Sequence, residues 1–375
     1  MSSVGISKYV IKSSQGNLQQ TLNSIKNENI KISSKNIPAV METITAPYFL
    51  FEDEVKDNQH SIYAELKELV SQLVCELDET QRKSTAIIIG TSIIDWYLVD
   101  AIEATLYSEP KKEYNSKKNS IDSYAKELSK EFGLNNFTMT INTACTSSAN
   151  ALLEASNLIN ASLFENVIVL GIEVFSQIMS RGFNAMQLLS QENQKPFDKE
   201  CDGMVLGEGF AGVLLSKKDT LWSLEGGANC SNSLNITAAS QSGDEFAEVM
   251  NLALKNTQLR AEDILALKTH GTSTNSNDLA EINAIAKVYD KEIVFTSLKP
   301  YVGHTLGACG VLELSLFMAC IDDGFIPKTL SCTNPIMENY IPINAHQQCN
   351  SGIFMCNYFG FGGNNTSLII KKESL

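Results

Sequence analysis

The chain has 375 residues, of which 43% are hydrophobic and 19% charged, with 22 Gly and 8 Pro. This composition excludes collagen-like, low-complexity and wholly disordered proteins. The 43 acidic and 29 basic residues give a net charge of −14, and because an acidic surface repels phosphate groups, we expect no general binding to nucleic acid or to anionic membranes.

The cysteine pattern favours reduced thiols in the cytoplasm. The nine cysteines are odd in number, no two of them have CxxC spacing, and the four histidines form no tight cluster with them. We therefore expect neither a disulfide framework nor a metal site. The first residues lack the pattern of a signal peptide, and no apolar stretch approaches the roughly 18 residues of a membrane span.

The chain reads as alternating helices and strands, because apolar residues recur at helical spacing in some segments and in continuous runs in others. The first half predicts a helix over 61–77, a strand over 84–90, a polar surface loop over 107–120, a strand over 135–141, a helix over 147–159, a strand over 166–173, and a strand with a charged linker over 208–220. The second half predicts a helix-to-strand transition over 261–271, a helix over 278–290, a strand over 292–297, a helix over 310–322, and strands over 353–360 and 365–372.

Apolar strands between helices predict an α/β protein whose sheets are covered on both faces. The two halves of the chain have a similar order of elements, which suggests a duplication. We place the boundary in the charged linker, with an N-terminal half over 1–219 and a C-terminal half over 220–375.

A cysteine stands where a strand turns tightly into a helix, in the segment NTACTSS over 142–148. The backbone N–H groups and the dipole at the start of a helix favour a thiolate, so we expect Cys145 to have a lowered pKa and to be a nucleophile. The alternative is an inert cysteine buried at a tight crossover.

Two of the four histidines lie in turns that follow strands. His270 is in THGTST over 269–274, directly after an apolar run, and His304 is in KPYVGHTLGACG over 299–310. The carboxyl ends of strands are where open α/β folds place their sites. Either histidine alone could be structural, but the repeated placement favours a shared site.

A glycine-rich turn, NYFGFGGN over 357–364, separates the last two predicted strands. Such a turn can aim backbone N–H groups at an oxyanion. It could equally be a plain β-turn with aromatic packing. It is no dinucleotide fingerprint, because a strand follows it and not a helix.

Together the four segments resemble one family, the β-ketoacyl-acyl-carrier-protein synthases of the thiolase fold, in the elongating (type I/II, KAS II-like) branch. The patterns TAC-T/S-S, HGTST, K-x4-H-x-x-GA-x-G-x-x-E and GFGG-x-N occur in the family's order, and 182–190, 195–209 and 326–335 add further matches. The resemblance covers 135–370 strongly and the first 80 residues weakly. It implies duplicated mixed-sheet halves in αβαβα layers.

The resemblance also implies roles for the residues of these motifs. Cys145 corresponds to the acyl-accepting nucleophile, and His270 and His304 correspond to the paired histidines of the decarboxylation site. Lys299 and Glu313 correspond to a buried pair that supports this site.

Three further residues match positions around the nucleophile. Phe361 corresponds to a gating residue whose backbone N–H forms the oxyanion hole with that of Cys145. Thr272 and Thr274 correspond to residues that contact a phosphopantetheine arm.

The implied activity is that of a 3-oxoacyl-[acyl-carrier-protein] synthase, an acyltransferase that condenses a cysteine-bound acyl chain with malonyl-carrier protein and releases CO2. The implied partners are an acyl carrier protein and a second subunit, in a homodimer or in a heterodimer with a related ketosynthase-like chain. No cofactor or metal is implied, because the substrates are carried on phosphopantetheine and CO2 release drives the condensation.

Several positions depart from the family pattern. The first residues lack the usual V-V-x-TG-x-G opening, Cys201 stands where Arg is usual, and Asn277 stands where Gly is usual. These departures suggest a specialised polyketide, polyene or lipid pathway over housekeeping fatty-acid synthesis. Two lysine groups are candidates for carrier docking: Lys111, Lys112, Lys117 and Lys118 in the polar loop, and Lys195 and Lys199. Both groups could also be ordinary solvated charges.

Two other functions compete with this one. A catalytically silent, chain-length-factor-like partner subunit would lack the nucleophile, whereas this chain has Cys145 together with His270 and His304. A Cys-His hydrolase would need an Asp or Asn to orient its histidine. Asn364 is the candidate for that role.

Overall fold

The computed structural model describes residues 3–38, 43–52, 59–93, 121–231, 240–290 and 292–374. The helices are α1 (Leu18–Asn27), α2 (Gln59–Val74), α3 (Glu79–Lys83), α4 (Asp122–Glu131), α5 (Ser147–Asn160), α6 (Gln177–Ala185), α7 (Asp244–Thr257), α8 (Asn275–Val288), α9 (Lys299–Val302) and α10 (Cys309–Asp322). The strands are β1 (Val4–Ser13), β2 (Gly16–Asn17), β3 (Ser33–Pro38), β4 (Thr43–Phe49), β5 (Thr85–Thr91), β6 (Thr138–Ile141), β7 (Asn166–Glu173), β8 (Leu206–Gly207), β9 (Gly209–Ser216), β10 (Trp222–Ser231), β11 (Ala266–Lys268), β12 (Val294–Thr296), β13 (Phe325–Ile326), β14 (Gln347–Gln348), β15 (Gly352–Phe359) and β16 (Asn364–Lys372).

Two five-stranded mixed sheets with the same pattern form the centre of the molecule. The first has the order β6-β5-β7-β9-β1 and the second has the order β12-β11-β15-β16-β10. In each sheet the first three strands are parallel and the last two are antiparallel to their neighbours. The sheets join where β1 pairs with β10, at Val4 opposite Leu224.

Both faces of each sheet are buried. Successive side chains of a strand point to opposite faces, so neighbouring residues pack into different layers. In β5, Ile88 packs into the cluster between the two sheets, whereas Ile87 and Ile89 pack under the outer helices α2 and α4. The outer face of the second sheet packs against α7 and α8, where Val249 and Ile285 are fully buried.

The helices α5 and α10 form the central layer between the two sheets. All the residues from Cys309 to Ile321 in α10 are buried, as expected for a helix enclosed on every side. The two helices touch at Gly310, where an added Cβ would lie 2.2 Å from the backbone nitrogen of Ala149. Only glycine fits there, and this contact brings the starts of both helices to one point.

The layers therefore run helix, sheet, helix, sheet, helix, which confirms the predicted α/β fold. The predicted strand over 166–173 and helix over 147–159 agree with β7 and α5 within one residue. The strand predicted over 135–141 is shorter and begins at Thr138. Although the usual opening motif is missing, the first residues do form a strand, β1, inside the first sheet.

Two predictions are left open by the fold. The boundary at 219/220 falls in the turn between β9 and β10, and the division into two domains remains a prediction. The polar loop over 107–120, with its four lysines, lies outside the described residues. Among the helices that the structure describes, none has the length and apolar character needed to cross a membrane.

Candidate active site

The cysteine predicted as the nucleophile lies in the turn between β6 and α5. Ala144, directly before it, has a positive φ of 56°, a left-handed conformation that costs energy for a residue with a Cβ. The turn is held by hydrogen bonds from the Ser147 hydroxyl to the carbonyl of Ala144 and from the Thr143 N–H to Ser147 Oγ. Cys145 is thus presented at the start of α5, as predicted, but its side chain is buried.

Both predicted histidines reach the same place from the second half of the chain. His270 follows β11, and its backbone N–H donates to Glu281 of α8 at 2.7 Å. His304 lies between α9 and α10, and its backbone N–H donates to the carbonyl of Val205 at 2.8 Å. The two imidazole rings meet edge to face, with their centroids 5.3 Å apart.

The three side chains form one buried cluster. One ligand-type atom from each of Cys145, His270 and His304 lies within 4.8 Å of the others. A thiolate and two imidazoles can bind Zn²⁺. However, the ammonium groups of Lys299 and Lys268 act on both rings, and positive charges next to the cluster oppose a divalent cation. The cluster is better suited to a substrate that becomes anionic.

A buried ion-pair network lies behind His270. Lys299 Nζ is 2.7 Å from Glu313 Oε1 and 3.2 Å from Nδ1 of His270. The second oxygen of Glu313 binds Lys268 Nζ at 2.8 Å. All three charged side chains are fully buried. Glu313 and Lys299 were predicted from sequence to form this pair, whereas Lys268 was not.

The expected lowering of the thiol pKa is wrong. Burial raises the pKa of Cys145 to about 11, although the charge of Lys299 and the backbone N–H of Phe361 lower it, and the carboxylate of Glu173 raises it further. The start of the helix does supply an N–H, that of Cys145 itself, which also lowers the pKa. The loss of water outweighs these stabilising contacts, because a dry environment disfavours the charged form.

The two histidines are held in their neutral form. Burial and then the charge of Lys299 lower the pKa of His270 well below its ordinary value, and the same two causes act on His304. Nδ1 of His304 is buried and makes no hydrogen bond within the part of the chain that the structure describes. Neutral imidazoles donate one N–H each and can accept a proton at the other nitrogen.

The glycine-rich turn between β15 and β16 brings Phe361 to the nucleophile. An added Cβ at Gly360 would lie 3.4 Å from the backbone nitrogen of Cys145, so the two segments are in close contact. The N–H groups of Phe361 and Cys145 both act on the Cys145 sulfur, and their role as an oxyanion hole remains a prediction. The half-buried ring of Phe361 packs on Phe183 at a centroid distance of 5.7 Å.

Asn364 does not orient a histidine. Its Oδ1 accepts from Thr146, Asn150 and Asn229 in a network of amides and hydroxyls between α5 and β16. Nδ1 of His270 faces Lys299, which is a cation. A Cys-His hydrolase requires an Asp or Asn that orients its histidine. Asn364 does not contact a histidine in this way, and His270 has a lysine in the place of such a partner.

Thr272 and Thr274 lie in the loop that carries His270. Their hydroxyl groups are buried and 2.8 Å apart. Asp278 of α8 fixes this loop by accepting the backbone N–H groups of Thr272 and Ser273. Contact with a phosphopantetheine arm remains a prediction for the two threonines.

Three buried ionisable residues at the site were missed in the sequence. Lys268 binds Glu313, Glu281 accepts the N–H groups of His270 and Gly271, and Glu173 accepts the hydroxyl of Ser92 at 2.6 Å. Lys268 lies two residues before His270, and Glu281 lies eleven residues after it. The sequence did hold a signal for these two residues, because each is a charged residue near a predicted histidine. Lys268 ends the strand before His270, and Glu281 is on the helix after it.

Comparisons with known proteins identify one family. The profile "Beta-ketoacyl synthase, N-terminal domain" matches residues 48–220, and "Beta-ketoacyl synthase, C-terminal domain" matches residues 224–333. A 3-oxoacyl-[acyl-carrier-protein] synthase 2 from Rhizobium meliloti is 31% identical over 251 residues, which cover 61% of this chain and 59% of the relative. The protein of the same name from Vibrio harveyi is 28% identical over 321 residues, or 79% of this chain and 77% of the relative.

Solved structures show the same fold. A β-ketoacyl synthase from Burkholderia phymatum superposes with a TM-score of 0.86 at 22% identity and 100% coverage of both chains. A chain from the complex of the ketosynthase ApeO with its chain length factor ApeC, from Xenorhabdus doucetiae, gives 0.84 at 22% identity, with 99% and 98% coverage. These likenesses confirm the predicted thiolase fold.

The match to the Rhizobium relative spans about three fifths of that protein's length. The two family profiles, by contrast, together match about three quarters of this chain and include Cys145, His270, His304 and Glu313. On this ground the chain belongs to the β-ketoacyl synthase family.

Proposed function

We propose that this protein is a 3-oxoacyl-[acyl-carrier-protein] synthase that condenses a Cys145-bound acyl chain with a malonyl group. The observation that carries the proposal is the buried cluster of Cys145, His270 and His304, within 4.8 Å of one another. A nucleophile and two neutral N–H donors at one point suit acyl transfer and enolate formation in the same cavity.

Acyl transfer begins with loss of the thiol proton. The pKa of Cys145 is about 11, so the thiol needs a nearby base. Nδ1 of His270 is occupied by Lys299, so His270 keeps its proton on Nε2 and acts as a donor. No lysine donates to His304 within the described ranges, so His304 receives the proton at the ring nitrogen that lies nearest Cys145. Sulfur attacks the thioester carbonyl, and the N–H groups of Phe361 and Cys145 stabilise the oxyanion until the carrier thiol leaves with that proton.

Decarboxylation of the malonyl group follows. The bond between the carboxylate carbon and the α-carbon breaks, CO2 leaves, and the electron pair moves to the thioester oxygen as an enolate. N–H groups of His270 and His304 donate to that oxygen. The α-carbon then attacks the acyl carbon, the bond to Cys145 sulfur breaks, and the thiolate is regenerated. Every group in this scheme comes from the chain or the substrates, so we propose that no cofactor or metal takes part.

We propose an acyl carrier protein as the partner that delivers both substrates. Thr272 and Thr274 lie beside His270 and would contact the phosphopantetheine arm. Lys195 is joined to the same loop by its backbone N–H, which donates to Ser273 Oγ at 2.7 Å, and Lys199 is exposed nearby in sequence. Lys195 Nζ lies 3.6 Å from Glu192 Oε2, which partly offsets its charge, and Lys199 adds a second positive charge for an acidic carrier on a chain with a net charge of −14.

A second subunit would pair with β6. This strand ends the first sheet, and within the described ranges it pairs only with β5. Its residues are half-buried, and an open cavity of about 470 Å³ lies beside Met139 and Ile141. An edge strand of this kind favours pairing with another chain. Size-exclusion chromatography with light scattering should give a dimer with itself or with a related chain, and a clean monomer would count against this part.

The alternative is a silent subunit like the chain length factor named in the ApeO–ApeC complex. The complete cluster at Cys145 favours an active subunit.

The proposed condensation is tested with malonyl-carrier labelled at the free carboxyl group and an acyl-carrier primer. Wild-type protein should release labelled CO2 with formation of a 3-oxoacyl product, and His304→Ala should lose both. No CO2 from wild type with any primer or related partner chain would favour the silent subunit. A specialised pathway would appear as preference for unsaturated or oxidised primers over saturated ones.

A further inference from the structure

The carboxylate of Glu313 is shared by two buried lysines. Its Oε1 lies 2.7 Å from Lys299 and its Oε2 lies 2.8 Å from Lys268. Neither lysine makes another ion pair in the described ranges. Two ammonium groups and one carboxylate leave a surplus positive charge in a region closed to solvent.

The environment of Lys268 is built for an ammonium group. Its Nζ donates to the carbonyl of Asn357 at 2.8 Å and lies 3.6 Å from the centroid of the Tyr358 ring. A carboxylate, a carbonyl and an aromatic face together occupy the three donors of the group. These contacts make a fully buried lysine stable at this position.

The surplus charge is only partly offset by the other nearby carboxyl group. Glu281 is close enough for Lys268 to act on it, but burial raises its pKa to about 7, and both of its oxygens accept backbone N–H groups at His270 and Gly271. Asp278 binds the backbone of the same loop. Among the other ionisable neighbours, His270 and His304 are neutral imidazoles and Cys309 is a neutral thiol, because burial lowers the pKa of the imidazoles and raises the pKa of the thiol.

The positive charge acts where the reaction becomes anionic. Lys268 occupies one oxygen of Glu313 and thereby leaves Lys299 only partly neutralised. Lys299 in turn donates to Nδ1 of His270, and the more positive this donor is, the more strongly the opposite N–H of the ring donates. The chain of contacts from Lys268 ends at the proposed enolate site.

We propose that Lys268 is a positioning residue that acts through Glu313 and Lys299 to strengthen the His270 donor in the decarboxylation step. This inference rests on the proposed function. It predicts that Lys268 matters more for CO2 release from malonyl-carrier than for acylation of Cys145. Only the release of CO2 depends on the His270 donor.

The test measures the two half-reactions separately in wild type, Lys268→Met and Lys268→Arg. Lys268→Met should slow CO2 release about tenfold, less than the hundredfold or more that follows loss of a direct oxyanion donor, and should change Cys145 acylation less than about threefold. Lys268→Arg keeps the charge and should restore most of the decarboxylation. If Lys268→Met does not fold, Lys268→Gln replaces it in the test, because glutamine can still donate to Glu313 or Asn357. We expect Lys268→Gln to slow CO2 release about tenfold as well, with little change in acylation.

The matched control is Tyr289→Phe, which removes a buried hydrogen bond to Met355 Sδ at 3.2 Å and lies outside the contacts described for Lys268. It should lower the melting temperature and leave the ratio of the two half-reactions unchanged. Equal losses in both half-reactions for Lys268→Met and Lys268→Gln, or no loss in either, would overturn the inference. Wild type that neither acylates nor releases CO2 would instead overturn the proposed function.

Discussion

Lys299 places its ammonium 3.2 Å from Nδ1 of His270. An ammonium group can only donate, so Nδ1 must be the acceptor and Nε2 must carry the ring proton. The contact therefore fixes His270 as a donor on its other side. In the proposed reaction, that proton is the one that meets the enolate oxygen.

Replacing Lys299 with methionine should slow decarboxylation. The neutral side chain frees His270 to change its tautomer and leaves Glu313 without this partner, so CO2 release should fall by about a hundredfold. The measurement is release of labelled CO2 from malonyl-carrier at saturating concentration. Lys217→Met, at an exposed lysine, is the control and should behave as wild type. A loss of less than about threefold in Lys299→Met would contradict the assigned donor role.

The reactivity of the nucleophile should rise steeply with pH. With a pKa of about 11, the free enzyme has little thiolate at neutral pH. Alkylation of Cys145 by iodoacetamide, followed by intact mass, should accelerate about tenfold per pH unit from 7 to 9. Lys299, Glu173, His270, His304 and Cys309 face this thiol. A rate that levels off below pH 8 would mean that the N–H groups and Lys299 outweigh burial.

The same thiol shows what could be read from the sequence and what could not. The start of α5 and the small residues around Cys145 gave the position of the nucleophile and the N–H that lowers its pKa. Burial, which decides the direction of the shift, depends on segments far apart in the chain, such as those that carry Gly360 and Cys309. No local pattern encodes that enclosure.

Glu173 should destabilise the folded protein as pH rises. Burial raises its pKa from 4.5 to about 7, so the folded chain holds a proton that the unfolded chain has already lost between these values. Its contribution to stability therefore falls from pH 4.5 to 7, by about 3 kcal/mol at most. Glu173→Gln keeps an oxygen for the Ser92 hydroxyl and removes the charge.

The difference in unfolding free energy between Glu173→Gln and wild type should therefore grow from pH 5 to pH 7 and be constant above about pH 8. Urea unfolding at a series of pH values measures it. The variant should also have a lower pKa at Cys145, because Glu173 raises that pKa. A difference that does not change with pH would show that Glu173 has the same pKa in both states.

The substitution Gly310→Ala should destabilise the central layer. An added Cβ would lie 2.2 Å from the Ala149 nitrogen and 2.7 Å from Ser148, so α5 and α10 must separate, at a cost of about 1–3 kcal/mol or more. Gly182→Ala is the matched control, because nothing lies within 4 Å of its added Cβ. That helix residue should gain about 0.5–1 kcal/mol. Thermal unfolding of both variants compares them, and equal melting temperatures would contradict the close approach.

Most of the architecture follows from local patterns, while the missed parts depend on pairing at a distance. The apolar runs at β5 and β7 and the helical spacing in α5 and α10 were sufficient to predict those elements. β1 was missed because its residues, VGISKYVIKS, mix apolar and polar types, and only its neighbours β9 and β10 make it a strand. Lys268 was missed for a related reason, since its partner Glu313 lies 45 residues away.

Intact mass spectrometry decides whether Cys145 carries the growing chain. Wild type, Cys145→Ala and Cys309→Ala are incubated with a series of acyl-carrier thioesters. Cys309 is the matched control, because its thiol is also buried and donates to the carbonyl of Cys145 at 3.0 Å. We expect one acyl adduct on wild type and on Cys309→Ala, none on Cys145→Ala, and loss of the adduct with CO2 release when malonyl-carrier is added. An adduct that persists in Cys145→Ala, or a wild type that hydrolyses the thioester without extending it, would show that Cys145 is not the condensing nucleophile.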